Sequence, residues 1–251
     1  MTIGYNVRKK TYADGTQQFM FHPSGAEVGY EREDKPKGER GKGSKRAKDE
    51  SRKRAVQMVY DLAKSNLWDW FGALTFDPKL VNSYDYDECV RYIMLFTHWL
   101  RDKSKDFVYL IVPEKHESGR YHFHFLIKGP LEVKEALNPW GKPILDAKGH
   151  QVYNVIGYKY GFSTAIKVYS NGAIGYIAKY ITKQDAVPPN KKRYWASRNI
   201  PKPKVEYLEV YPPEYCEIFN AADYKKKIPG PYGTFELLEI HGEEVRGETQ
   251  E

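Results

Sequence analysis

Tyr121-His122-Phe123-His124-Phe125 sets two imidazoles two residues apart in a run of β-forming residues. Side chains alternate along a strand, so both rings leave on one face and can converge on a divalent ion. The third ligand depends on the hairpin this run closes. If Glu117-Ser118-Gly119 is a three-residue loop, Glu114 lies directly across from His122 on the same face, with His116 one pair nearer the turn. A two-residue loop would send Glu114 to the opposite face, so the ligand set Glu114, His122 and His124 hangs on register. Two imidazoles, a carboxylate and open water positions suit Mg2+ or Mn2+, with zinc as a further candidate; the missing cysteines argue against a closed structural zinc site. The competing reading is an ordinary half-buried strand face with Phe123 and Phe125 turned to the core.

A second constellation lies downstream. In Gly175-Tyr176-Ile177-Ala178-Lys179-Tyr180-Ile181-Thr182-Lys183, helical spacing puts Tyr176, Lys179, Tyr180 and Lys183 on one stripe. Ile174, Ile177, Ala178 and Ile181 fall on the opposite side and can supply the packing. A phenol is a weak nucleophile near its usual pKa of about 10, and a neighbouring ammonium or metal ion favours the phenolate. The competing reading makes the tyrosines amphipathic packing residues whose hydroxyls reach water. Taken together, the two constellations amount to a phosphoryl-transfer apparatus: a metal at the scissile phosphate, a phenolate to attack in line, lysines to offset transition-state charge. Tyrosine attack keeps the phosphodiester energy in a protein–DNA ester, so the step can be reversed.

Charge is distributed unevenly. The 251 residues carry 40 Lys+Arg against 33 Asp+Glu, a net +7. Residues 183–204 hold Lys183, Lys191, Lys192, Arg193, Arg198, Lys202 and Lys204 against Asp185 alone, with Tyr194 and Trp195 embedded among them. Cations beside aromatic rings suit a phosphate backbone with exposed bases, which makes Lys191, Lys192, Arg193, Tyr194, Trp195 and Arg198 candidate DNA contacts. A second basic run, 31–54, ends in Arg52, Lys53 and Arg54, which are candidates too, although a solvated linker explains it equally well.

These groups need elements to position them. Ile3 to Arg8 and Gln17 to His22 form an N-terminal hairpin around Ala13-Asp14-Gly15. Glycines and like charges predict a mobile linker over 31–54, followed by a helix from Val56 to about Asn66. Phe71 to Phe76 reads as a strand stopped by Asp77-Pro78, and Asp85 with Glu88 opens a helix to about Arg101. Phe107 to Pro113 and Arg120 to Lys128 flank the histidine hairpin's turn. A further turn falls at Asp146 to Gly149, then a strand from Tyr153 to Val168, a helix from about Gly172 to Lys183, and a short helix near 213–221. Helices and hairpins without a parallel βαβ unit imply an α+β fold with a mostly antiparallel sheet. The expected organisation is an N-terminal hairpin extension (1–30), a basic flexible linker (31–54), a catalytic domain (55–200) and a C-terminal extension with an acidic tail (201–251).

Several classes are excluded. The longest apolar stretches fall far short of the ~20 residues that span a bilayer, so no membrane partner is expected. Cys89 and Cys216 make no disulfide framework or metal pair, and the N-terminus carries no apolar secretory run, which together predict a cytoplasmic protein. Gly38 and Gly43 have a phosphate-loop separation, but Ser44 stands where the lysine belongs, so no nucleotide cofactor is expected.

The motifs, in their order and spacing, resemble rolling-circle replication initiators of the HUH endonuclease superfamily, in the phage and plasmid branch with paired tyrosines. Ala73-Leu74-Thr75-Phe76-Asp77 looks like the family's first motif, His122-Phe123-His124 its metal motif with Glu114 as the acidic ligand, and Tyr176-Ile-Ala-Lys179-Tyr180 its nucleophile motif. The resemblance covers roughly 55–200. It implies a central antiparallel sheet of about five strands with flanking helices, and the tyrosine helix laid across the metal. It also implies nicking of single-stranded or hairpin origin DNA, a 5′-phosphotyrosine intermediate and a 3′-hydroxyl that primes synthesis by a host polymerase. With no helicase domain fused, unwinding falls to a host helicase in a bacterial cell. A relaxase or single-strand transposase would use the same chemistry, and a non-catalytic single-strand nucleic-acid binder would use only the aromatics and cations.

Overall fold

The structure is a computed structural model and describes residues 3–28, 44–169, 187–188, 190–230 and 233–242. In chain order the elements are β1 (Ile3–Thr11), β2 (Gln17–Val28), α1 (Lys45–Lys64), β3 (Trp70–Phe76), α2 (Tyr86–Lys103), β4 (Val108–Lys115), β5 (Tyr121–Lys128), β6 (Val133–Glu135), β7 (Tyr153–Val155), β8 (Gly161–Lys167), β9 (Trp195–Ala196), β10 (Lys204–Leu208), α3 (Pro212–Ala221), β11 (Tyr224–Gly230) and β12 (Gly233–Ile240). They divide into two compact units, one of Met1–Lys37, Lys64–Asn66 and Pro201–Glu251, the other of Gly38–Ala63 and Leu67–Ile200.

The larger unit is built on a seven-stranded sheet in the order β6-β7-β8-β3-β5-β4-β9, with each neighbouring pair antiparallel. Alternation along the central strands gives the sheet two apolar faces. Leu74, Phe76, Ile111, Phe123 and Phe125 pack against the α2 stripe of Tyr86, Cys89, Ile93, Phe96 and Leu100. Leu110, Val112 and Leu126 point the other way and pack with Val59, Leu62 and Ala63 of α1. Each such fully buried side chain contributes about 1.5–3 kcal/mol of transfer free energy, so the central strands are held from both sides. Asp85 caps α2 by accepting from the amides of Asp87 and Glu88. The Trp68 indole N–H donates to the Ala63 carbonyl at 2.8 Å and satisfies an acceptor at the end of α1.

The expected α+β, antiparallel architecture is borne out, with three differences in the elements. The sheet has seven strands rather than about five, because β6 and β9, at three and two residues, are too short to leave a periodic signal. Residues 45–54, expected as flexible linker, form the first half of α1. The Ser44 hydroxyl accepts from the Ala47 amide and Arg46 pairs with Glu50 one turn on, so a charge-rich run of good helix formers becomes helix. The strand expected from Tyr153 to Val168 is broken into β7 and β8. Gly161 at φ +155° sits against the β3 backbone, where an added Cβ would lie 2.2 Å from the Thr75 carbonyl oxygen.

The smaller unit joins the two ends of the chain in a five-stranded antiparallel sheet, β10-β1-β2-β12-β11. Val7, Phe19 and Leu238 form its core beneath Tyr215, Ile218 and Phe219 of α3. Asn6 clamps the strand end through two bonds with the Val210 backbone, at 2.7 and 2.8 Å. Within the stretch expected as an acidic tail, residues 233–240 are β12, paired on both sides. The helix expected over 172–183 lies outside the described residues, and among those described no helix is long and apolar enough to cross a membrane.

Candidate metal centre and nucleic-acid interface

The hairpin register settles the alternative left open by the sequence. The His116 amide donates to the Arg120 carbonyl and Gly119 turns at φ +85°, leaving Glu117, Ser118 and Gly119 as a three-residue loop. Glu114 therefore pairs directly with His122, and both stand with His124 on the α1 face of the sheet.

Glu114 Oε2 lies 2.6 Å from His122 Nε2 and 2.7 Å from His124 Nε2. Glu114 and His124 are only 6% and 7% exposed, so this carboxylate is held in a nearly dry setting by two imidazole N–H donors. Burial, followed by the neighbouring His122, pushes the His124 imidazole down to about 3, even though the adjacent carboxylate pulls the other way; burial, then His116, lowers His122 as well. Both rings are thus neutral at ordinary pH, the form in which a ring nitrogen lone pair can bind a metal. The Phe71 ring lies parallel to His124 with centroids 6.3 Å apart and fixes that ring's plane. Sequence reasoning missed Phe71; the signal available was its place on β3, two residues before Ala73, which pairs with His124.

The three ligand atoms lie within 4.8 Å of one another, a group of a kind able to hold a metal ion. Two ligands bound at about 2.1 Å and at right angles sit about 3 Å apart, so the set need part by only a few tenths of an ångström to admit an ion. On β3, Ala73 faces His124 and Thr75 faces His122, and these small side chains leave the adjoining side open for water or phosphate. The mixed nitrogen and oxygen donors fit a divalent ion such as Mg2+ or Mn2+. The cysteines play no part here: Cys89 is buried and Cys216 is exposed in the other unit.

The remaining candidates divide. Tyr176, Lys179, Tyr180 and Lys183 lie outside the described residues. Lys191, Lys192 and Arg198 are exposed, and Lys191 Nζ meets Asp87 Oδ2 at 2.6 Å. Arg193 and Tyr194 are half-buried, Tyr194 against the α1-side core. Trp195 is a correction: it is 4% exposed, pairs through β9 with Ile111 and packs against Tyr86 and Phe123, so its ring is spent on the core and cannot stack on a base. Arg52, Lys53 and Arg54 are consecutive on α1; Lys53 and Arg54 are exposed, and Arg52 is half-buried 3.9 Å from Asp49.

No curated protein and no solved structure gives a significant match to this chain. The span that carries β3, the histidine hairpin and the paired tyrosines does find its family: residues 69–185 match the family model of the ORF2-type replication-associated protein, consistent with a rolling-circle replication initiator.

Proposed function

We propose that this chain is a replication initiator that nicks one strand of origin DNA by tyrosine attack assisted by a divalent ion. The observation that carries the reading is the closure of Glu114, His122 and His124 on one point, inside a span matched by a replication-associated family. Those three residues would hold Mg2+ or Mn2+, which in such a site withdraws charge from the scissile phosphate. The phenolate oxygen of Tyr176 or Tyr180 forms a bond to phosphorus while the bond to the 3′ oxygen breaks. The phenol's proton passes to solvent, and the departing oxygen takes one up as a free 3′-hydroxyl. Lys179 and Lys183 offset the negative charge that builds up on the way. The second phenol can repeat the exchange after one round and release the product.

Exposed Lys191, Lys192, Arg198, Lys53 and Arg54 supply cations for the backbone of single-stranded or hairpin origin DNA, with Arg52, Arg193 and Tyr194 beside them. A host helicase and polymerase would complete the reaction in the cytoplasm of a bacterial cell, without a nucleotide cofactor in this chain. The test is incubation with single-stranded oligonucleotides tiling the replicon that encodes the chain. An SDS-resistant adduct that needs Mn2+ or Mg2+ and disappears with EDTA is expected. Persistence of the adduct in the Tyr176→Phe/Tyr180→Phe double variant would refute the nucleophile assignment.

A further inference from the structure

The metal candidates are one end of a longer row. Across neighbouring strands, Glu114 pairs with His122, His122 with Thr75, and Thr75 with Phe162. Directly paired residues in a sheet share a face, so these four side chains stand in line across β4, β5, β3 and β8. The next row toward the α1-side core is Val112, His124, Ala73 and Thr164. The floor between the histidines and Phe162 is therefore two threonines and an alanine, low and partly hydroxylated. At its far side Phe162 stands up 69% exposed, on a strand whose alternate residues Ser163 and Ala165 are buried on the opposite face. Two strand spacings separate Phe162 from His122, about 10 Å at the backbone.

A phenyl ring this exposed on a regular strand, beside a site able to hold a phosphate-binding ion, has an occupant suited to its shape. We infer that Phe162 is a stacking platform for a base of the single strand whose phosphate reaches Glu114, His122 and His124, with the Thr75 and Thr164 hydroxyls beneath the intervening sugar and phosphate. Aromatic stacking accepts any base, because each has a π-face, and it anchors the strand without reading sequence. Phe162 would thus be a positioning residue that sets which phosphate lies over the metal ligands. Gly161 supports this placement: its close approach to the Thr75 carbonyl locks the start of β8 against β3.

This inference rests on the initiator reading, and the two can be told apart. The probe is a fluorescently labelled dT15 oligonucleotide bound to the full chain with Mn2+, its Kd read by anisotropy. Phe162→Ala is expected to weaken binding roughly five- to hundredfold, the span for deleting one base stack, while the thermal melt is unchanged because the ring is exposed. Phe162→Trp should bind at least as tightly as the wild type. Phe162→Leu should resemble the alanine variant, since it keeps apolar bulk without a π-face. If wild type forms the covalent adduct and binds dT15 in a Mn2+-dependent manner, while Phe162→Ala or Phe162→Leu binds equally well, the platform is wrong and the initiator reading survives. If wild type shows neither adduct nor metal-dependent binding, both fall.

Discussion

Replacing Glu114 by Gln isolates the carboxylate's charge, because shape and volume are retained. Without a metal the substitution has two opposed effects. It weakens two charge-assisted bonds, worth about 1.5–3 kcal/mol each, and it removes the several-kcal/mol penalty of burying a carboxylate that is 6% exposed. These offset one another, and a net change within about 1 kcal/mol is expected. With the metal the balance is no longer close. At a Mn2+ concentration of about one hundred times Kd, the wild type gains about 2.7 kcal/mol. At about 2–4 °C per kcal/mol for a unit of this size, its melting temperature rises by about 5–11 °C. Loss of an outer-shell partner alone costs a metal site about 10–100-fold, so losing the anionic ligand itself should cost at least the upper figure. Mn2+ at the same concentration then only equals the variant's Kd, the gain falls to about 0.4 kcal/mol, and the shift shrinks to about 1 °C. Thermal melts with Mn2+ or EDTA read this directly, without any DNA. Lys115→Ala, one residue along β4 and on the opposite face, should keep the full shift. An undiminished Mn2+ shift in Glu114→Gln would refute the ligand assignment.

Two further outcomes follow from the geometry around the site. In the metal-free protein, His124 is neutral well below the imidazole's ordinary range, so the unfolded chain takes up its proton first; stability present above about pH 6.5 should be lost as pH falls toward 3. Denaturant melts in EDTA should show that slope reduced in His124→Gln, and an identical slope would remove the basis for a buried neutral ring. At Gly72 an added Cβ would lie 1.9 Å from the Thr164 carbonyl oxygen and 2.5 Å from Phe125 Cζ, so β3 and β8 must separate. Gly72→Ala should cost about 1–3 kcal/mol, seen as a melt lowered by several degrees, and should blunt the Mn2+ shift because Ala73 flanks His124; an unchanged melt would contradict the close packing.

Much of the site was legible locally. Alternation along 121–125 places both imidazoles on one face whatever the rest of the chain does, and Asp85 with Glu88 marks the start of α2 by cap chemistry confined to a single turn. The helix in 45–54 went unread because glycines earlier in the same run suggested loop, whereas the decisive contacts, Ser44 with Ala47 and Arg46 with Glu50, reach only three or four residues. Trp195 misled for the opposite reason. Its neighbours in sequence are cations, but its neighbours in space are Ile111, Tyr86 and Phe123.

The sequence by itself determined the residue chemistry and the local periodicities: two imidazoles facing one way, two phenols and two ammonium groups at helical spacing, and a hairpin turn with glycine where a positive φ is needed. Tertiary structure decided what depends on pairing partners. A one-residue change of loop would have turned Glu114 to the other face, and only the formed register brings its carboxylate within 2.6 and 2.7 Å of both rings. The second sheet is likewise a tertiary outcome, since β1 finds β10 about two hundred residues away. Hydrogen bonding between distant strands is selected by the burial that both partners achieve together, and neither strand carries that information alone.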